Sequence, residues 1–165
     1  PGRGTIFRVT LPKAEAARQP AALPVSLAPQ SLSGITVLCI DNDPRILAGM
    51  AILISGWGCT VLQASSKSEA EALAEDFHST GVTPIPDLVI ADYHLDDGTG
   101  IAAILGLRAR FETDVPALII TADRSQEVRA ETKKHGLGLQ HKPVKPAALR
   151  AYISQIASHR RTAAE

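Results

Sequence analysis

From Gly34 onward the chain repeats one unit, a short apolar run followed by a stretch with helical spacing. The runs are ITVLCI (35–40), CTVLQA (59–64), DLVIA (87–91), ALIITA (117–122) and GLQHK (138–142). They are too short for globular helices, and the more apolar ones are apolar at successive positions, the pattern of a strand buried on both faces. The stretches between and after them, 44–55, 66–80, 100–111, 124–135 and 146–160, read as helices. In the first, Pro44 takes an opening position where its missing N–H matters least. Ile46, Leu47, Met50, Leu53 and Ile54 then recur at helical spacing. In the last, Leu149, Tyr152, Ile153 and Ile156 fall on one stripe. Strand–helix alternation of this kind predicts a parallel sheet covered by helices on both sides, a three-layer α/β sandwich over residues 34–160.

The residues in front of Gly34 follow another rule. Residues 13–33, KAEAARQPAALPVSLAPQSLS, are rich in Ala, Pro and Ser and hold no sustained period, as expected of a semi-extended linker. In PGRGTIFRVTLP (1–12), Ile6, Phe7 and Val9 suggest a short strand. A lone strand cannot make a domain, so these residues are expected to close a preceding one.

Composition excludes several classes. Lys plus Arg and Asp plus Glu are both 17, and this balance argues against a bulk electrostatic nucleic-acid binder. No apolar run approaches the roughly 18–20 residues that span a bilayer, so no membrane contact is expected of this segment. Cys39 and Cys59 lie in apolar surroundings without metal-ligand spacing and are expected to be reduced core thiols in the cytoplasm. With aromatics at 4%, the core falls to Val, Ile, Leu and Ala.

In open parallel sheets the ligand site lies beyond the carboxyl ends of the strands, where strand order reverses. The residues at those ends here are Asp41-Asn42-Asp43 after the first run, Asp92 after the third, Thr121 in the fourth and Lys142 in the fifth. Carboxylates gathered within a few ångströms repel by about 1 kcal/mol per pair in water and about 4 at an effective dielectric of 20. A divalent cation relieves the conflict, and Mg2+ suits hard oxygens while leaving room for a phosphoryl oxygen. Asp92, last before the chain leaves the sheet, is then the nucleophile toward phosphorus, with the Lys142 ammonium and the Thr121 hydroxyl each meeting a phosphoryl oxygen. Asp96 and Asp97 fall in the DDGTG turn, where Asp and Gly are favoured for backbone reasons.

At this point the chain resembles the receiver domain of two-component response regulators. VLCIDNDP, PDLVIADYHLDDGTG, LIITAD and HKPVKP carry the likeness, in order and each at a strand end. The resemblance implies a flavodoxin-like (βα)5 fold with strand order 2-1-3-4-5, dependence on Mg2+, and phosphoryl transfer from a phosphohistidine to Asp92. It implies metal contacts from Asp41, Asn42, Asp92 and the backbone carbonyl of His94, with Asp43 either a further ligand or the cap of the first helix. The donor it implies is a histidine-phosphorylated domain of the same kinase or a separate phosphotransfer protein, and homodimerisation stays open. The GxGTxFxxxLP pattern of 1–12 resembles the closing strand of a histidine-kinase ATP-binding domain. With the linker and receiver behind it, the whole is similar to the C-terminal end of a hybrid sensor histidine kinase. Such a piece lacks the nucleotide-binding and histidine-bearing parts, so it is expected to accept phosphoryl groups and not to phosphorylate a histidine.

Two positions depart from the pattern. Asn42 stands where a second metal-binding acid is usual, and Leu139 stands where an aromatic switch residue is common. Two other readings remain. A strand followed by DxD (Asp41, Asp43) also opens haloacid-dehalogenase-like phosphatases, with Asp41 as nucleophile, although Arg45 stands where a Thr is usual. A receiver-like docking domain that is never phosphorylated is the other.

Overall fold

The computed structural model describes Arg8, Thr10 and residues 32–80 and 85–163. The chain divides into two units, Pro1–Gln30 and Ser31–Glu165, and the architecture below belongs to the second. Apart from Arg8, Thr10, Leu32 and Ser33, the expected terminal strand (1–12) and linker (13–33) lie outside the described residues.

The elements alternate as the sequence pattern requires. In order they are β1 (Thr36–Ile40), α1 (Pro44–Ser55), β2 (Thr60–Ala64), α2 (Lys67–Thr80) and β3 (Leu88–Asp92). A small hairpin follows, β4 (His94–Leu95) and β5 (Gly98–Thr99), and then α3 (Gly100–Phe111). The chain finishes with β6 (Ala117–Thr121), α4 (Gln126–Lys134), β7 (Gly138–His141) and α5 (Pro146–Ala163). The main sheet has five strands in the order β2-β1-β3-β6-β7, every neighbouring pair parallel. This is the expected flavodoxin-like order once the hairpin is set aside. From β1 the chain winds one way to β2 and then crosses to β3 on the other side, so the order reverses between β1 and β3. A ligand crevice therefore opens beyond the carboxyl ends of those two strands.

Successive residues of each strand point to opposite faces. Leu38, Ile40, Val89, Ala91 and Ile119 therefore meet Ile101, Ile104 and Leu107 of α3 on one side. Val37, Cys39, Leu88, Ile90, Leu118 and Ile120 meet Leu47 and Ile54 of α1 and Leu149 and Ile153 of α5 on the other. Two cores flank one sheet, and each fully buried Leu or Ile contributes about 1.5–3 kcal/mol relative to exposure. Ala70 and Ala74 of α2 and Ala103 of α3 are wholly buried, and their short side chains let those helices lie close.

The second core reaches further toward the N-terminus than the sequence pattern suggests. Leu32 is buried, and its N–H donates to the Trp57 carbonyl at 3.1 Å. Trp57, between α1 and β2 in the chain, packs against this second core. Cys39 and Cys59 are buried free thiols. Among the described residues no helix is long and apolar enough to cross a membrane.

Candidate functional site

The carboxyl end of β1 is shaped by Asp41 and Asp43. Asp41 is buried, and its Oδ1 accepts the Asp43 N–H at 2.9 Å, which bends the chain sharply out of the strand. Asp43 is the N-cap of α1, with Pro44 behind it at the first helical position. Both of its oxygens are engaged by Arg45: Oδ1 accepts from the backbone N–H at 2.9 Å and Nε at 3.1 Å, and Oδ2 from Nη2 at 2.8 Å. Hydrogen bonds from the Arg45 side chain and backbone hold the Asp43 carboxyl down at about 2. Of the two roles open to Asp43, the cap is the one its contacts describe. Asn42 is exposed, and its Nδ2 donates to Asp96 Oδ1 at 2.9 Å.

Asp92 is the last residue of β3, in register with Ile120 of β6. The sequence pattern ended this strand at residue 91; the ladder to β6 extends it by one, because the Tyr93 N–H still reaches the Ile120 carbonyl at 3.0 Å. The chain then turns through β4 and β5, with His94 paired to Thr99 and Leu95 to Gly98. It returns so closely that the Gly100 N–H donates to the Tyr93 carbonyl at 2.9 Å. A Cβ at Gly100 would collide with the Asp92 carbonyl, so only glycine lets α3 begin there. Thr99 caps α3 by accepting the Ala102 N–H at 3.2 Å. Asp97, read from sequence as a turn former, does more. Its two oxygens accept the backbone N–H groups of Lys67 and Ser68, both at 2.9 Å, and so hold the hairpin against the N-terminus of α2. Those backbone hydrogen bonds, Ser68 first, lower its carboxyl below the usual range.

Lys142 enters from the end of β7, its backbone N–H bound to the Thr121 carbonyl at 2.8 Å. Its Nζ lies 3.0 Å from Asp92 Oδ2 and 3.4 Å from Asp41 Oδ2. Burial works against the ammonium, but hydrogen bonds and charge from Asp92 and Asp41 outweigh it and raise Lys142 above the ordinary lysine value. The amine is therefore protonated at neutral pH. The peptide joining it to Pro143 is cis. Thr121, fully buried, ends β6 beside β3, and its Oγ1 accepts the Asp123 N–H at 3.0 Å, leaving its proton to be donated. The structure thus brings Asp41, Asp92 and Lys142 into contact, with Thr121 on the strand beside Asp92.

One ammonium faces two carboxylates, so the cluster keeps one net negative charge and presents hard oxygen donors. That set fits a small divalent cation. Among the described residues no three His, Cys, Asp or Glu side chains gather closely enough to hold a metal alone. A cation here would have Asp41 and Asp92 as its carboxylate donors and would need other oxygens to complete its shell, a donor set that suits Mg2+ better than Zn2+. Beside the cluster a cavity of about 320 Å³ is lined by Asp41, Asp92 and Lys142 and by apolar side chains such as Met50 and Val144.

One link near the site has no counterpart in the sequence pattern. The Tyr93 hydroxyl donates to Glu131 Oε2 of α4 at 3.0 Å, and its ring meets His94 edge-on with centroids 4.8 Å apart. Leu139, in the place where an aromatic switch residue is common, is half-buried in β7 against the first core.

Residues 37–154 match the family model of the response regulator receiver domain. The transcriptional regulatory protein KdpE of Mycobacterium tuberculosis is 34% identical over 94 residues, 57% of this chain and 38% of that protein. The match therefore covers well under half of that curated relative. Among solved structures, a response regulator receiver domain protein from Clostridium thermocellum aligns with a TM-score of 0.65 at 22% identity, over 78% of this chain and 98% of the other. The chemotaxis protein CheY4 of Vibrio cholerae aligns with a TM-score of 0.61 at 24% identity, over 74% and 98%. At these identities the structural likeness concerns the fold.

Proposed function

Because the chain belongs to the response regulator receiver domain family, we propose that it accepts a phosphoryl group from a phosphohistidine onto the carboxylate of Asp92, with Mg2+ held beside it. The observation that carries this reading is the Lys142 ammonium, 3.0 Å from Asp92 and 3.4 Å from Asp41. Three strand ends far apart in sequence meet where a phosphoryl group needs a nucleophile, a cation site and a positive charge.

In the transfer an Asp92 oxygen forms a bond to phosphorus as the phosphorus–nitrogen bond of the donor breaks. The electron pair of that bond returns to the imidazole. The Lys142 ammonium and the Thr121 hydroxyl offer donors to two phosphoryl oxygens, where charge gathers in the transition state. A bound Mg2+ would neutralise charge on the carboxylates and on the phosphoryl group. Asp41, Asp92, the Asn42 amide oxygen and the His94 carbonyl are the groups that would hold it. Asp43 is not offered that role, since Arg45 engages both its oxygens.

The donor is a histidine-phosphorylated domain, of the same kinase or of a separate phosphotransfer protein. The likeness of PGRGTIFRVTLP (1–12) to the end of a kinase ATP-binding domain supports a hybrid histidine kinase as the parent chain.

The test uses a small phosphodonor, acetyl phosphate, with Mg2+. The native protein is expected to gain one acid-stable, hydroxylamine-sensitive phosphoryl group, and Asp92→Asn to gain none. Label on Asp41 instead would favour the phosphatase reading, and no label with an intact fold would favour a docking domain.

A further inference from the structure

We propose that Asp96 is a positioning residue for the divalent cation, acting through the amide of Asn42. The inference rests on the metal-dependent reading above and adds to it a residue outside the four strand ends.

Three observations carry it. Asn42 Nδ2 donates to Asp96 Oδ1 at 2.9 Å across 54 residues of sequence. A carboxylate can only accept, so the amide nitrogen must face Asp96, and the amide oxygen is turned to the other edge of the group. The partner is also held firmly. The adjacent Asp97 is fastened to the first turn of α2 through Lys67 and Ser68, while the β4–β5 pairing closes the turn on its other side. Asn42, for its part, is flanked by Asp41, whose Oδ1 accepts the Asp43 N–H, so both ends of the bond sit on braced backbone.

The chemistry explains why such a bond would be built. Where a second acid is usual, this chain has a neutral amide, and a neutral oxygen is a weaker donor to a hard cation. A carboxylate hydrogen-bonded to the amide N–H pushes electron density toward its oxygen and fixes its direction, as outer partners of metal ligands do elsewhere. The missing negative charge is thereby returned to the site one hydrogen bond removed. Asp96 need not touch the cation to do this.

The test is a Mg2+ titration by calorimetry on the full chain, a readout independent of phosphorylation. It compares the native protein, Asp96→Ala, Asn42→Asp and the double variant, with metal-free melting curves reporting the fold. Asp96→Ala is expected to weaken Mg2+ binding about fivefold to tenfold, at the low end for outer partners of metal ligands because the pair is exposed. In the Asn42→Asp background the same change is expected to be neutral or to tighten binding, because there two carboxylates oppose each other. Equal weakening in both backgrounds would mean a through-space charge and would overturn the proposal, as would no change on removing Asp96 from the native chain. If the native protein bound no Mg2+, this inference and the metal-dependent reading would fall together. Mg2+ binding that Asp96→Ala leaves untouched would sink this inference alone.

Discussion

The Lys142 ammonium lies 3.0 Å from the Asp92 carboxylate although their strands, β7 and β3, are separated in the sheet by β6. The lysine bridges that gap by leaving the sheet just past β7 and reaching back over Thr121. Charge-assisted hydrogen bonds hold it there, and Asp92 and Asp41 are its only ion-pair partners among the described residues.

Removing that charge separates two effects. Lys142→Ala is expected to slow phosphorylation by acetyl phosphate about 100-fold, the scale for loss of one transition-state donor. Mg2+ should bind more tightly to the same variant, because the ammonium no longer competes for the two carboxylates. Calorimetry and a phosphorylation time course check both, and a parallel loss of both would show that the lysine positions the cation.

Gly100 sets how closely α3 may approach the acceptor strand. Its substitution by alanine drives a methyl group into the Asp92 carbonyl and against the Ala91 side chain. Gly100→Ala should cost about 2 kcal/mol, typical of overpacking, in urea unfolding. It should also impair phosphorylation, because relief comes by moving Asp92.

Gly49 is the opposite case. It sits inside α1 and nothing lies within 4 Å of a Cβ added there. Glycine in a helix interior is worse than alanine by about 0.5–1 kcal/mol. Gly49→Ala should stabilise the fold by that amount in the same unfolding assay, and any destabilisation would contradict the open space seen at α1.

The cap of α1 has a pH signature. Asp43 is held at about 2, below its ordinary 3.8, by Arg45. A depressed carboxyl contributes stability that is present above its unfolded value and lost as pH falls through the folded one. Stability should therefore decline between pH about 4 and 2 through this group, and the native protein should lose more than Asp43→Asn across that window. Melting temperatures measured from pH 5 to 2 decide it.

The Cys39 thiol gives a last check. Burial, then the charge of Asp41 and of Cys59, push it up to about 12. Iodoacetamide at pH 8 should leave Cys39 unmodified in the folded protein and react fully in denaturant. Fast labelling of the native state would mean that the core beneath Asp41 opens readily.

Much of this architecture can be read in the chain itself. Residues 44–55 and 100–111 form α1 and α3 over those same residues, because Pro44 and Gly100 mark their starts and the apolar spacing runs cleanly through both. The strand ends were legible for a related reason: a polar residue that stops an apolar run in a buried sheet has few places to go but the rim. What escaped was decided at long range. Two-residue strands carry no period, so the β4–β5 hairpin is invisible in sequence. Asp97 looks like any turn aspartate until α2, about 30 residues earlier, is seen to begin on it. Asp96 and Tyr93 likewise gain their roles from Asn42 and Glu131, neighbours that no local window contains.

The phenol of Tyr93 makes a final point. Burial first, and Glu131 beside it, raise that hydroxyl above the usual tyrosine value, so it keeps its proton throughout the neutral range. The residue next to the acceptor is consequently pegged to the most hydrophilic helix of the fold by a bond that ordinary changes in acidity do not undo through the tyrosine. Whatever displaces the backbone at the tip of β3 must either carry α4 along or break that peg.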